Sequence, residues 1–292
     1  MAVTLDYLPP YDFEALLQFL ATRAIAGVED VSDGVYRRTV RFRFEDRVVA
    51  GWLCVSHLPQ RHALEVAVSD TLTDDLDTIV QRMGQLFDIH ADPATIKRVL
   101  AEPMRSIADS DFVAGTRIAG FTDAFELCVR AVLGQQITVK AAGTLAARLV
   151  QRLGDEIATP FVSLTHLFPT PETILATDDI ESVLGNLGIT SARGRTIARL
   201  AQLFAEGGFV HPQDFRVVRE KLLAVPGIGS WTAGYIAMRM GDKDVFLPTD
   251  AGVRHVLPGK SPKEIEHISK NFQPWRSYAV MHLWQTLSAV KE

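Results

Sequence analysis

Leu222-Leu223-Ala224-Val225-Pro226-Gly227-Ile228-Gly229-Ser230-Trp231-Thr232-Ala233-Gly234-Tyr235 sets a tight glycine-rich turn between two helical patterns, and Asp250 follows nineteen residues after Trp231. Phe215, Val218, Leu222 and Val225 recur at three- to four-residue intervals before the turn, and Trp231, Tyr235 and Met238 do so after it. Pro226 stops the first helix by removing a donor. Gly227 and Gly229 permit positive φ and leave backbone N–H groups unshielded by a Cβ. At the start of a helix such N–H groups form a site for an anion, a phosphate oxygen among them.

Two other readings of this turn stay open. Gly227-x-Gly229 before a helix, with an acidic residue about twenty positions on, matches the start of a dinucleotide-binding fingerprint. Against it, the segment before Gly227 has helical rather than strand periodicity, and Gly234 arrives two residues late for the third glycine. The other is a plain helical hairpin with glycines at its bend.

Composition narrows the class. The chain has 292 residues, 47% hydrophobic and 22% charged, which suits a well-cored protein of two domains. No apolar run approaches the roughly 18 residues of a membrane span, and Met1-Ala2-Val3-Thr4-Leu5-Asp6 lacks the order of a signal peptide, so a cytoplasmic location is expected. Cys54 and Cys128 alone build neither a disulfide framework nor a four-cysteine metal site, and both read as buried apolar thiols. His90, His211, His255, His267 and His282 show no metal-ligand spacing and read as structural. A net charge of −5 argues against holding nucleic acid by bulk electrostatics. A hairpin that binds phosphate through backbone N–H groups needs little side-chain charge. Arg193-Gly194-Arg195 and Arg199 either add to it or simply start a solvated helix.

Working outward from the hairpin, residues 1–90 read as an N-terminal α+β domain. Val40, Phe42 and Phe44 alternate with Arg41 and Arg43, Glu45-Asp46 breaks the pattern, and the run Val48 to Val55 and the alternation of Leu64, Val66 and Val68 follow. This predicts an antiparallel sheet. Phe13, Leu16, Leu17, Leu20 and Ala24 predict one helix packed on it; Leu76, Ile79, Val80, Met83 and Phe87 predict another. Residues 91–292 read as an all-α domain in two lobes, roughly 117–240 and 91–116 plus 241–292, punctuated by Gly and Pro.

Asp250 precedes the helical pattern of Val253, Val256 and Leu257, so it stands at a helix N-terminus. Either it caps that helix, or Thr249 does and the Asp250 carboxylate faces a cleft.

Taken together, the hairpin Val225 to Ala233, Asp244-Val245-Phe246-Leu247-Pro248-Thr249-Asp250, Pro274-Trp275-Arg276-Ser277-Tyr278-Ala279, His282-Leu283-Trp284, Pro9-Pro10-Tyr11-Asp12-Phe13 and Phe19-Leu20-Ala21-Thr22-Arg23 resemble the bacterial 3-methyladenine DNA glycosylase II family of the AlkA type. That family belongs to the helix-hairpin-helix glycosylase superfamily, and the resemblance covers nearly the whole chain. It implies duplex DNA containing alkylated bases as the partner, a monomer, and no cofactor for catalysis.

The resemblance also implies roles. Asp250 becomes the catalytic aspartate. Cleaving an N-glycosidic bond builds positive charge on the deoxyribose, and an anion about 4 Å away is worth about 4 kcal/mol at an effective dielectric near 20. Trp231 stands where members with lyase activity carry a nucleophilic lysine, so a monofunctional enzyme that leaves an abasic site is expected. Phe19, Trp231, Tyr235 and Trp284 correspond to the wall of a pocket for the flipped base, where a cationic alkylpurine gains roughly 0.5–2 kcal/mol over an aromatic face. Trp275 and Tyr278 read as core. Within Leu133-Gly134-Gln135-Gln136-Ile137-Thr138, read as a helix start, Gln136 takes the place of the family's wedge leucine, with Gln135 the alternative. The N–H groups of Gly229 and Trp231 and the hydroxyl of Thr232 would bind phosphate beside Gly227. A sodium or potassium ion would sit on the carbonyls of Leu223, Val225 and Gly227. The rival of another class is a non-catalytic DNA-binding protein that docks through the same hairpin, with Asp250 as a mere cap.

Overall fold

The computed structural model describes residues 1–44, 47–108, 111–209 and 214–289; Glu45, Asp46 and His211 lie outside them. Strands β1 (Ala2–Asp6), β2 (Glu29–Ser32), β3 (Val35–Arg43), β4 (Val48–Leu58) and β5 (Ala63–Val68) form one antiparallel sheet in the order β1-β5-β4-β3-β2. Helix α1 (Phe13–Ala21) lies between β1 and β2, and α2 (Leu76–Leu86) follows β5. Ala24 lies beyond the end of α1, and Phe87 caps α2. The predicted strands are present. The two edge strands β1 and β2 are additional.

Period-2 side-chain direction explains the sheet's inner face. Tyr36, Val40 and Phe42 of β3 join Leu53 and Val55 of β4, Leu64, Val66 and Val68 of β5, and the apolar stripes of α1 and α2 in one core. Arg38 shares that register and is buried, because two carboxylates meet it: Glu126 Oε2 at 2.6 Å and Glu29 Oε1 at 3.6 Å. The outer face is partly covered as well. Thr39 donates to the His166 carbonyl (2.6 Å), and Trp52 meets Phe161 edge-on at 5.1 Å.

Helices α3 (Pro93–Ala108), α4 (Ala124–Leu133), α5 (Val139–Leu153), α6 (Pro171–Ala176), α7 (Ile180–Asn186), α8 (Ser191–Ala205), α9 (Phe215–Leu223), α10 (Ser230–Arg239), α11 (Ala251–Val256), α12 (Pro262–Ser269) and α13 (Arg276–Ala289) make up the rest. One core joins α4, α5, α8 and the α9–α10 hairpin; another joins α3, the later part of α10 and the segment from Val245 to Leu283. Phe19, Trp231, Tyr235 and Trp284 are partly buried where these cores adjoin the sheet's core. Tyr278 is fully buried as expected, whereas Trp275 is half-buried. Cys128 is buried, but Cys54 is only half-buried, on the sheet's outer face opposite Arg37, which corrects the expectation for that thiol.

Candidate active site

The site grows from α10. Trp231 and Tyr235, four residues apart on one helix face, stack with centroids 5.4 Å apart and planes 3° from parallel. One turn further, the buried Arg239 donates from Nη1 to the Tyr235 phenol oxygen (2.7 Å), from Nη2 to the Gly120 carbonyl (2.7 Å) and from Nε to the Ala119 carbonyl. From α13, Trp284 lies 6.2 Å from Tyr235, and from α1, Phe19 lies 6.4 Å from Trp284 with planes 13° apart. The four predicted pocket aromatics therefore form one contiguous cluster.

Asp250 stands at the edge of this cluster and is buried. Its Oδ1 accepts from the Val253 N–H (3.0 Å) and from the Trp284 indole Nε1 (2.9 Å); its Oδ2 accepts from the Trp231 Nε1 (3.0 Å). Asp250 itself is the N-cap of α11, so the alternative in which Thr249 fills that role does not hold. Capping uses Oδ1 alone, and the second oxygen remains turned to the aromatic cluster. Spacing along the chain gives no signal for the two indole bonds, because they join residues 19 and 34 positions apart.

The opposite end of the cluster is positive. The Arg23 guanidinium lies 3.7 Å over the Phe19 ring, and Arg239 lies 5.2 Å from the same ring and 5.7 Å from that of Tyr235. Burial raises the Tyr235 phenol, but the guanidinium groups of Arg239, Arg23 and Arg130 outweigh it and leave the phenol below its ordinary range. A cavity of about 20 Å³ abuts this end, lined by Phe19, Arg23, Gly120, Arg130 and Arg239 among others. A larger one, about 110 Å³, lies between β3 and the Leu167–Pro171 segment and holds none of the aromatic cluster. Arg23 and Arg239 each follow a pocket aromatic by four residues; that spacing places Arg239 beside Tyr235 on α10, whereas Arg23 lies just past the end of α1 and the same signal does not apply to it.

The hairpin has the predicted form. Gly227 adopts φ +102°, and a Cβ there would lie 2.0 Å from Thr196 Oγ1, so only glycine fits. Gly229 is the N-cap of α10 without any side-chain cap bond, and a Cβ on it would meet open space. Thr232 is buried, and its hydroxyl accepts from Gln135 Nε2 (3.2 Å); its side chain faces inward. The same Gln135 amide donates to the Gly227 carbonyl (2.9 Å), and the Val225 carbonyl accepts from the Ile228 N–H (3.0 Å). A carbonyl oxygen has two lone pairs, so these oxygens after the last turn of α9 fit a hard monovalent cation in kind.

Gln135 and Gln136 lie in the loop between α4 and α5, three to four residues ahead of Val139, with Thr138 capping α5. Gln135 is half-buried and tied to the hairpin. Gln136 is exposed with φ +56° at the tip of the loop. Arg193 donates to the Gln135 carbonyl and Arg195 pairs with Glu181 (3.3 Å), so two members of that basic group serve local contacts. His90, His255 and His267 are exposed. Burial pushes His282 down to about 4. Among the described residues no group of three His, Cys, Asp or Glu side chains forms a metal site, and no helix is long and apolar enough to cross a membrane.

Residues 2–123 match the AlkA N-terminal domain, and residues 129–272 match the HhH-GPD superfamily of base excision DNA repair proteins. DNA-3-methyladenine glycosylase 2 of Escherichia coli is 35% identical over 97% of this chain and 96% of its own length. The chain belongs to the AlkA-type HhH-GPD glycosylases. It is therefore an enzyme of the DNA-3-methyladenine glycosylase 2 type, a DNA-binding base excision repair glycosylase. A probable bifunctional transcriptional activator/DNA repair enzyme AlkA of Mycobacterium tuberculosis is 38% identical over 95% of the chain, which spans 55% of that longer relative. Among solved structures, a 3-methyladenine DNA-glycosylase from Archaeoglobus fulgidus shares the fold at a TM-score of 0.77, with 22% identity and 97% of each chain covered. An 8-oxoguanine glycosylase/lyase of Clostridium acetobutylicum shares it at 0.72, with 14% identity, 100% of this chain and 99% of the other covered.

Proposed function

We propose that this glycosylase hydrolyses the N-glycosidic bond of alkylated bases of the 3-methyladenine and 7-methylguanine type in duplex DNA, as a monofunctional enzyme. The observation that carries this reading is the Asp250 carboxylate, held by both indoles at the edge of an aromatic cluster. As the bond to the base lengthens, the deoxyribose becomes oxocarbenium-like. A fixed anion already bonded to three N–H groups meets that charge with little reorganisation. Asp250 Oδ2, with one bond from Trp231, retains a lone pair to take the proton of the attacking water.

Base flipping costs a few kcal/mol in stacking and pairing, and the exposed Gln136 is the side chain we assign to the gap. Support for Gln136 over Gln135 is the pair of hairpin bonds that Gln135 already makes. The uncapped start of α10 supplies N–H groups of Gly229 and Trp231 to a DNA phosphate. The carbonyls of Leu223, Val225 and Gly227 would hold a sodium or potassium ion, which would add positive charge beside that phosphate without carrying sequence information. With Trp231 bonded to Asp250 in the place of a lysine, no Schiff base forms there, and the phosphodiester backbone stays intact.

The test is base release from methylated duplex DNA, with strand breaks scored before and after alkali. Release with breaks only after alkali is expected. Breaks before alkali would remove the monofunctional assignment, and duplex binding without release would favour a non-catalytic role.

A further inference from the structure

The stretch Gly115-Thr116-Arg117-Ile118-Ala119-Gly120 is buried at every residue, yet none of these residues belongs to a helix or strand. Buried backbone must find partners for its N–H and C=O groups, so the partners reveal what the stretch holds. Its first residue takes α1, because the Gly115 carbonyl accepts from the N–H of Asp12, the N-cap of that helix (2.9 Å). Its last two take α10, through the bonds from Arg239 to the Ala119 and Gly120 carbonyls. Between them, the Thr116 hydroxyl donates to Oε1 of Gln285 (3.1 Å), the neighbour of Trp284 on α13. The Ile118 N–H donates to Asp88 Oδ2 (3.2 Å), the same oxygen that receives the Tyr278 hydroxyl of α13 (2.7 Å). This short stretch therefore reaches each of the three helices that carry the aromatic cluster.

Both ends of the stretch are locked by close approach. A Cβ on Gly115 would lie 2.5 Å from the Asp12 nitrogen, and one on Gly120 would lie 2.3 Å from the Gln85 carbonyl oxygen, so backbone meets backbone at either end. Arg117 ties the middle. It is fully buried; Nη1 donates to the Gly115 and Thr116 carbonyls (3.2 Å each), and Nη2 donates to those of Leu8 (2.9 Å) and Pro10 (3.0 Å). Its guanidinium also lies 4.5 Å over the Tyr11 ring. One planar fork thus braces the stretch against the turn that leads into α1. A lysine ammonium has three donors and cannot make all four bonds. An apolar side chain would avoid the desolvation cost of a buried cation, but apolar packing is non-directional, whereas four directed bonds fix a position.

We propose that Thr116 and Arg117 are positioning residues of the base pocket. Residues 115–120 act as a spacer that sets the separation of α1, α10 and α13, and so holds Phe19, Tyr235 and Trp284 at the distances a flipped base requires. The inference rests on the glycosylase reading above. Both residues act through the helices they hold. Misplacing a pocket wall by about 1 Å costs about 100-fold in rate even when the altered residue is remote from the chemistry.

The experiment compares wild type with Thr116→Val, Arg117→Lys and Arg117→Met, and with Ile174→Ala in α6 as a control that loses stability elsewhere. Four quantities are measured: single-turnover release of 7-methylguanine, anisotropy with undamaged duplex, tryptophan quenching by free 3-methyladenine, and the denaturation midpoint. Arg117→Met should slow release by about 100-fold and weaken binding of the free base by about tenfold, with undamaged-duplex affinity within about twofold of wild type. Arg117→Lys should fall between that variant and wild type. Thr116→Val, nearly isosteric, loses one directed bond and should slow release by about tenfold with the midpoint little changed. Ile174→Ala should lower the midpoint and leave release and base binding as they are. Equal slowing in Arg117→Met and Ile174→Ala overturns the proposal, and so does loss of undamaged-duplex affinity in step with release. If Arg117→Met does not fold, Thr116→Val and Arg117→Lys decide, and release at the wild-type rate by both overturns it. A wild type that releases no alkylated base removes the glycosylase reading and this inference with it.

Discussion

Replacing Asp250 by Asn tests the centre of the chemistry, because it changes charge while nearly preserving shape. An anion about 4 Å from the sugar stabilises the oxocarbenium-like state by about 4 kcal/mol at an effective dielectric near 20. Losing it slows bond cleavage by about 10³-fold. The structural cost is separate. Oδ1 accepts from Val253 and Trp284, whereas Oδ2 accepts from Trp231 alone, so the asparagine oxygen takes the two-donor side and its NH₂ faces the Trp231 N–H. One donor is left unpaired, at about 1–3 kcal/mol of stability. The assay is single-turnover release of 7-methylguanine with enzyme in excess at fixed salt, alongside duplex affinity and a denaturation midpoint. Asp250→Ser serves as a companion, since serine still caps α11 but carries no anion. A slowing of about 10³-fold in both variants, with duplex affinity retained, is expected. Release by Asp250→Asn within about tenfold of wild type would refute the electrostatic argument.

Further outcomes follow from the same geometry. Gly229→Asp should fold normally, because a Cβ there meets open space and Asp caps helices well, yet it should weaken binding to damaged and undamaged duplex alike by about tenfold or more; unchanged anisotropy titrations would mean that the hairpin does not dock. Trp284→Phe keeps an aromatic ring but deletes the indole bond to Asp250, so kcat should fall by about 10- to 100-fold with little change in KM, and a purely KM effect would make Trp284 a stacking wall only. Burial pushes His282 down to about 4, below its unfolded value of 6.5, so the unfolded chain binds its proton first and stability is lost as pH falls from 6.5 toward 4, by about 3 kcal/mol in all. His282→Gln should flatten that limb of the denaturation profile, and an unaltered limb would assign it to other groups.

How much was legible follows from how local each signal is. The hairpin was legible because helical spacing on either side of Pro226 and Gly227 is written within two dozen residues, and only glycine fits at 227. Strand β3 was legible through Val40 and Phe42. Strands β1 and β2 were not, since each is short and pairs on one side only, and Glu29-Asp30-Val31-Ser32 carries no apolar alternation. Glu29 is buried because Arg130 (2.8 Å) and Arg38 meet it, and Tyr36 donates to it at 2.6 Å. Arg130 is 101 residues away in the chain, so no local pattern shows that pairing. Asp250 illustrates a different limit. Its position at a helix start posed cap and catalyst as alternatives, but a carboxylate has two oxygens, and this one gives Oδ1 to the cap and keeps Oδ2 for the pocket.

One helix links these functions. The N-terminal turn of α10 presents the uncapped N–H groups of the hairpin, and Trp231 in the same turn holds Asp250. Arg239, eight residues later and so about 12 Å along the axis at 1.5 Å per residue, ends the helix and holds the phenol of Tyr235. Anion and cation are thus spaced by a rigid element, with the stacked rings of Trp231 and Tyr235 between them. Electron density in glycosidic cleavage moves from sugar to base, which matches a field running between Asp250 and Arg239. In the function proposed above, the phosphate contact is made by the first turn of that same helix. Docking of the hairpin on the backbone therefore also fixes where both charges lie relative to the bond that breaks, and a change that tilts α10 should alter affinity and cleavage together.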